Sequence, residues 1–190
     1  MDLKKLAGTL LSADSISGLS NLTGASTSDV SNVLAQALPS LLNGASNQAK
    51  DKDTVNSFAS ALSQHAKDDT KDLSGFLNRV DLKDGSKIIG HLLGSDKNDI
   101  ISNIASNTGV SQKDTGSILS AIAPLLMSLL GQQTNEDDNK DSGIENLFGS
   151  LLDNVDVGDL LTGLLGDNSS SSSGKQSGNL LGNLLKGFLK

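Results

Sequence analysis

The stretch "ISNIASNTGVSQKDTGSILSAIAPLLM", Ile101 to Met127, decides the reading of the fold. Ile104 and Ala105 supply the apolar side of a first short helix. Thr108-Gly109 ends it, because glycine takes the left-handed backbone of a helix C-cap without penalty. Ser111 and Asp114 then stand three apart, the Ser-x-x-acid pattern of a helix start. The carboxylate also suits the positive end of the helix dipole. Ile118, Leu119, Ile122 and Leu126 follow at helical spacing. Pro124 falls late in that run, lacks an N–H and crowds the preceding turn. A kink is expected there rather than a stop, because the apolar spacing continues on both sides.

The pattern occurs twice. "ISGLSNLTGASTSDVSNVLAQALPSLL", Ile16 to Leu42, aligns without a gap: Gly24 meets Gly109, Asp29 meets Asp114 and Pro39 meets Pro124, each 85 residues apart. Upstream, "LLSADS" (Leu10 to Ser15) resembles "LLGSDK" (Leu92 to Lys97). The expectation is an all-α chain with two related helix-turn-helix units and Pro-kinked apolar helices.

Composition agrees. Four Phe and no Trp or Tyr leave Leu, Ile, Val and Ala to build the core. Strand formers are sparse. The 20 glycines predict short helices with loose connections. Without cysteine there is no disulfide and no thiol chemistry, which fits a reducing, cytoplasmic setting. The N-terminal "MDLKKLAGTLLSADS" is not read as a signal peptide, since Asp2 spoils the basic region and Gly8-Thr9 interrupts the apolar run. The long apolar stretch from Ile118 to Leu130 contains Ser120, Pro124 and Ser128 and is too short to span a bilayer, so it reads as a buried helix.

These signals divide the chain. Residues 1–50 form the first unit, 51–83 the connecting helices and 84–131 the second unit. The connector holds Val55, Phe58 and Leu62, then Leu73, Phe76 and Leu77, and Asp84-Gly85 reads as a turn. Residues 132–165 combine an acidic linker with short leucine-paired helices. Between Glu136 and Asp159 eight carboxylates face Lys140 alone, which accounts for the whole net charge of −7. The serine-rich stretch 166–178 is expected to be a flexible tether. Residues 179–190 form an amphipathic helix with Leu181, Leu184, Leu185 and Phe188 on one face, an optional contact surface.

The second unit resembles the YidB-like family of bacterial proteins of unknown function. The resemblance rests on Asp84-Gly85, the Gly90-His91-Leu92-Leu93-Gly94 block, the Thr108-Gly109-Val110 turn and the Ala123-Pro124-Leu125-Leu126-Met127 block ending at Gly131. It is weaker over Leu3 to Gly44, where the Gly-His block is missing. It implies an all-helical fold in a bacterial cytoplasm and no reaction.

Chemistry is weakly signalled. Helix-turn-helix units invite a DNA-reading interpretation, but the would-be reading helices begin with Thr27, Ser28 and Asp29, and with Gln112, Lys113 and Asp114. DNA affinity rests on lysine and arginine at phosphates. The chain's one arginine, Arg79, lies elsewhere. The two histidines, His65 and His91, read as packing or capping residues. No nucleophile elbow, phosphate loop or dinucleotide fingerprint is present. "DDNKDSG" starts like a calcium loop but has its glycine one place late and Phe148 at the twelfth position, so it reads as solvated linker.

The expectation is a non-enzymatic helical structural and interaction protein without cofactor or metal. Leu34, Leu38, Leu119, Ile122, Leu126 and Leu130 are expected to form its core, with self-association or a protein partner through leucine faces. A nucleic-acid-associated regulator is the alternative. Membrane contact by the terminal helix is the weaker option, because two lysines draw it little toward anionic lipid.

Overall fold

The computed structural model describes the backbone of residues 3–136 and the side chains of residues 5–134. The serine-rich stretch, the terminal leucine face and the calcium-like "DDNKDSG" lie outside the described residues. Within them the fold is all-α. In chain order the helices are α1 (Leu3–Leu10), α2 (Ala13–Thr23), α3 (Thr27–Lys50), α4 (Val55–His65), α5 (Leu73–Leu77), α6 (Leu82–Leu93), α7 (Lys97–Thr108) and α8 (Gln112–Glu136). A single 3-10 turn, Gly94–Asp96, joins α6 to α7.

α8 is the axis. Each of the other seven helices packs on it. Every residue from Ile118 to Gly131 is buried, so the helix is covered on all sides. An α-helix apolar all round belongs in a core or a bilayer. The stretch Gln112–Thr134 is long and apolar enough to cross a membrane, yet 83% of its apolar window is buried by the fold. The two hairpins are interlocked: α2 packs on α3 and on α8, while α7 packs on α8 and on α3. Leu34, Leu38, Leu119, Ile122, Leu126 and Leu130 all lie in one core cluster. Each such side chain contributes about 1.5–3 kcal/mol of burial.

Three local expectations need correction, while the continuation of the apolar helices through Pro39 and Pro124 is as expected. The helices are not uniformly short: α3 has 24 residues and α8 has 25. Residues Gln132 to Glu136 continue α8 instead of starting a linker, and Gln133 is buried. Asp84-Gly85 is no turn but part of the first turn of α6, behind the Asp81 cap.

The glycines explain why helices could be long despite that composition. Pro124 has no N–H to give the carbonyl of Ser120, four residues back. Gly85 lies directly against that carbonyl; a Cβ there would overlap it. A bare Cα lets α6 approach the exposed backbone of α8, with room for a weak Cα–H···O contact. Gly44 meets Leu92 and Gly131 meets Leu62 in the same manner. These glycines close helix crossings; they do not loosen connections.

Candidate functional site

The two hairpin turns are alike in detail. Gly24 has φ 76° and ψ 3°, Gly109 φ 75° and ψ 5°. The Thr23 hydroxyl donates to the Leu19 carbonyl at 2.7 Å, and Thr108 to Ile104 at 2.7 Å. Ser26 accepts from the Asp29 N–H at 3.1 Å, and Ser111 from Asp114 at 3.1 Å. Ser111 also donates to the Asp114 carboxylate at 2.7 Å. The surface beyond each cap is polar and exposed: Thr27 and Ser28 at one, Gln112 and Lys113 at the other. One lysine between two helix starts is little to hold phosphates with.

At one buried position the second hairpin has a threonine where the first has a valine. Val30 and Thr115 are both 0% exposed, and the Thr115 hydroxyl has no hydrogen-bond partner. A buried hydroxyl left unpaired is costly. Thr115→Val, which restores the residue of the first hairpin, is expected to raise stability by about 1 kcal/mol. A urea midpoint that stays or falls, at unchanged slope, would contradict this.

The Gly90-His91-Gly94 block is the C-terminal end of α6. Gly94 takes φ 56° and its N–H bonds the Gly90 carbonyl. His91 is not a packing residue. Its side chain is exposed, because helical spacing turns position 91 away from Ile89, Leu92 and Leu93, which are buried. Only its backbone is engaged, accepting from Gln48 Nε2 of α3 at 2.9 Å.

Among the described residues, the one cluster with chemically versatile side chains surrounds His65, at the end of α4. Its Nδ1 lies 3.0 Å from Asp68 Oδ2. A carboxylate only accepts, so Nδ1 carries the proton. On the other side, Ser128 Oγ of α8 stands 2.8 Å from the same Asp68 oxygen and 2.8 Å from the Pro124 carbonyl. Gln132 Nε2 donates to the Asp68 carbonyl at 2.8 Å, and the Thr70 hydroxyl donates to Gln132 Oε1 at 3.1 Å. The loop after α4 is thereby tied to the second half of α8. Ser128 and Gln132 lie some sixty residues from their partners, so the sequence shows only the local His65, Asp68 and Asp69 grouping.

Beside this cluster a cavity of about 590 Å³ opens between the end of α4, the loop after α5 and the start of α6. Phe76, Val80 and Pro124 give it an apolar side. Arg79, Lys87 and Lys67 bring positive charge, and four aspartates negative charge. Among the described residues no group of three or more His, Asp or Glu is arranged to hold a metal.

Comparison with known proteins adds one match. No curated protein and no solved structure is found to be similar to the chain. A family model aligns with residues 6–133, from the buried Leu6 of α1 to the buried Gln133 of α8. That span takes in both hairpins, their connector and the cavity. The chain therefore belongs to DUF937, a family of bacterial proteins of unknown function.

Proposed function

We propose that this chain is a non-enzymatic helical structural and interaction protein of the bacterial cytoplasm, YidB-like in kind, built on two related helix-turn-helix units. One observation carries the reading: the wiring of the one cluster among the described residues that resembles catalytic machinery. The order is His65, Asp68, Ser128, with the carboxylate in the middle. A hydrolase needs its imidazole against the hydroxyl, to take the proton as the nucleophile attacks. Here the carboxylate separates the two, and Ser128 is 0% exposed. The arrangement ties a loop to α8 and offers no nucleophile.

Self-association belongs to this reading and is assigned to the terminal leucine face of Leu181, Leu184, Leu185 and Phe188, because the apolar side chains of the helical unit are already turned inward. Removal of residues 179–190 is expected to leave the helical signal intact and to reduce any oligomer to monomer in light scattering. An oligomer of unchanged mass after truncation would argue against the leucine face.

The second reading, a nucleic-acid-associated regulator, draws support from the matched geometry of the two turns. Titration against random duplex DNA at rising salt separates the two. The interaction reading expects no binding at micromolar protein. Binding that weakens steeply with salt would favour the alternative.

A further inference from the structure

We infer that the cavity beside α4 and α6 binds a small oxyanion, a solute carrying carboxylate or phosphate, with Arg79 as its principal contact. This goes beyond the interaction reading and does not depend on it.

The argument starts from which charges in the cavity are already engaged. Asp68 is held by His65 and Ser128. Asp69 accepts from the Lys71 N–H at 3.1 Å, and Asp81 from the Lys83 N–H at 2.8 Å. Asp84 lies in the first turn of α6, where the positive end of the helix offsets it. Asp69, Asp81 and Asp84 thus serve the local backbone, and Asp68 serves the tie between His65 and Ser128. The cations do not: among the described residues the one ion pair is His65–Asp68, and Arg79, Lys87 and Lys67 have no carboxylate partner.

Arg79 is the only arginine in the chain. Its Nε donates to the Gly75 carbonyl at 3.0 Å, which orients the guanidinium and leaves the two terminal nitrogens as donors. That pair matches the two oxygens of a carboxylate or phosphate. The cavity volume is within the range of small-molecule sites. Its mouth is preorganised, since Gln132 and Ser128 hold the loop that forms one wall. The surrounding aspartates disfavour a polyanion, whose further phosphates would meet them, and so select a compact anion.

The single arginine makes the test direct. The full chain, labelled with 15N, gives one arginine Nε–H signal. It is titrated with sodium phosphate and separately with sodium acetate, against sodium chloride at matched ionic strength. The expected result is a saturable shift of that signal and of the Asp81 and Asp84 amides with phosphate, acetate or both; which of them saturates names the group recognised. Arg79→Gln, an exposed position, should weaken binding about tenfold, the loss of a charge-assisted pair of hydrogen bonds. Lys87→Gln should weaken it severalfold, and Lys52→Gln, outside the cavity, not at all. The amides report binding in Arg79→Gln, where the side-chain signal is gone. Shifts that never saturate, that chloride reproduces, or that Arg79→Gln and Lys87→Gln leave unchanged overturn the assignment.

Discussion

Gly85→Ala is expected to destabilise the fold by about 3 kcal/mol, at the upper end of what overpacking a core usually costs. The same substitution at Gly90, one and a half turns further along α6, should stabilise by up to about 1 kcal/mol. Both glycines lie within the same helix, so propensity favours alanine at each. Only the surroundings differ. At Gly85 the new methyl would overlap the Ser120 carbonyl, a backbone atom that cannot rotate aside. At Gly90 nothing lies within 4 Å of the new atom. Urea unfolding of the two variants beside the parent measures the contrast. Two shifts of the same sign would mean that α6 does not depend on bare backbone at its crossing with α8.

This crossing shows what was legible in the sequence and what was not. Asp84-Gly85 and Ala123-Pro124-Leu125 stand out as motifs when read along the chain, yet nothing in their spacing says that they touch. The first reads as a turn because glycine after aspartate usually marks one. Its use here is set by the Ser120 carbonyl, 35 residues away in the chain, left without its helix partner by Pro124. Local signals fared better. The Thr-Gly stop and the Ser-x-x-Asp start are self-contained, since each bond they make is to a residue within four positions. The leucine core was equally readable, because burial of an apolar face follows from periodicity alone. The cavity was not. His65 and Asp68 are close in sequence, but the groups that make them a fixed wall come from α8, and Arg79 joins them only after α5 has turned the chain.

The second large effect concerns α8 itself. Leu119→Ala and Leu125→Ala are each expected to cost 2–5 kcal/mol, the range for emptying a fully buried leucine site. Six residues separate them, so at about 100° per residue they point to different sides of the helix. On a helix at the surface of a domain, one of two such positions would face water and its truncation would cost little. Here both are 0% exposed. Neighbours cannot close the cavity easily, because the helices around α8 are held at their crossings by backbone contact at Gly85 and Gly131. Sites that cannot collapse sit high in the range. The double variant should lose most of the stability available to a domain of this size, of order 5–15 kcal/mol, if the two sites act independently. Chemical denaturation of the single variants, read from midpoint and slope, tests this. A loss below about 1 kcal/mol at either position would show that one side of α8 is not enclosed, and the reading of that helix as the axis of the fold would fail with it.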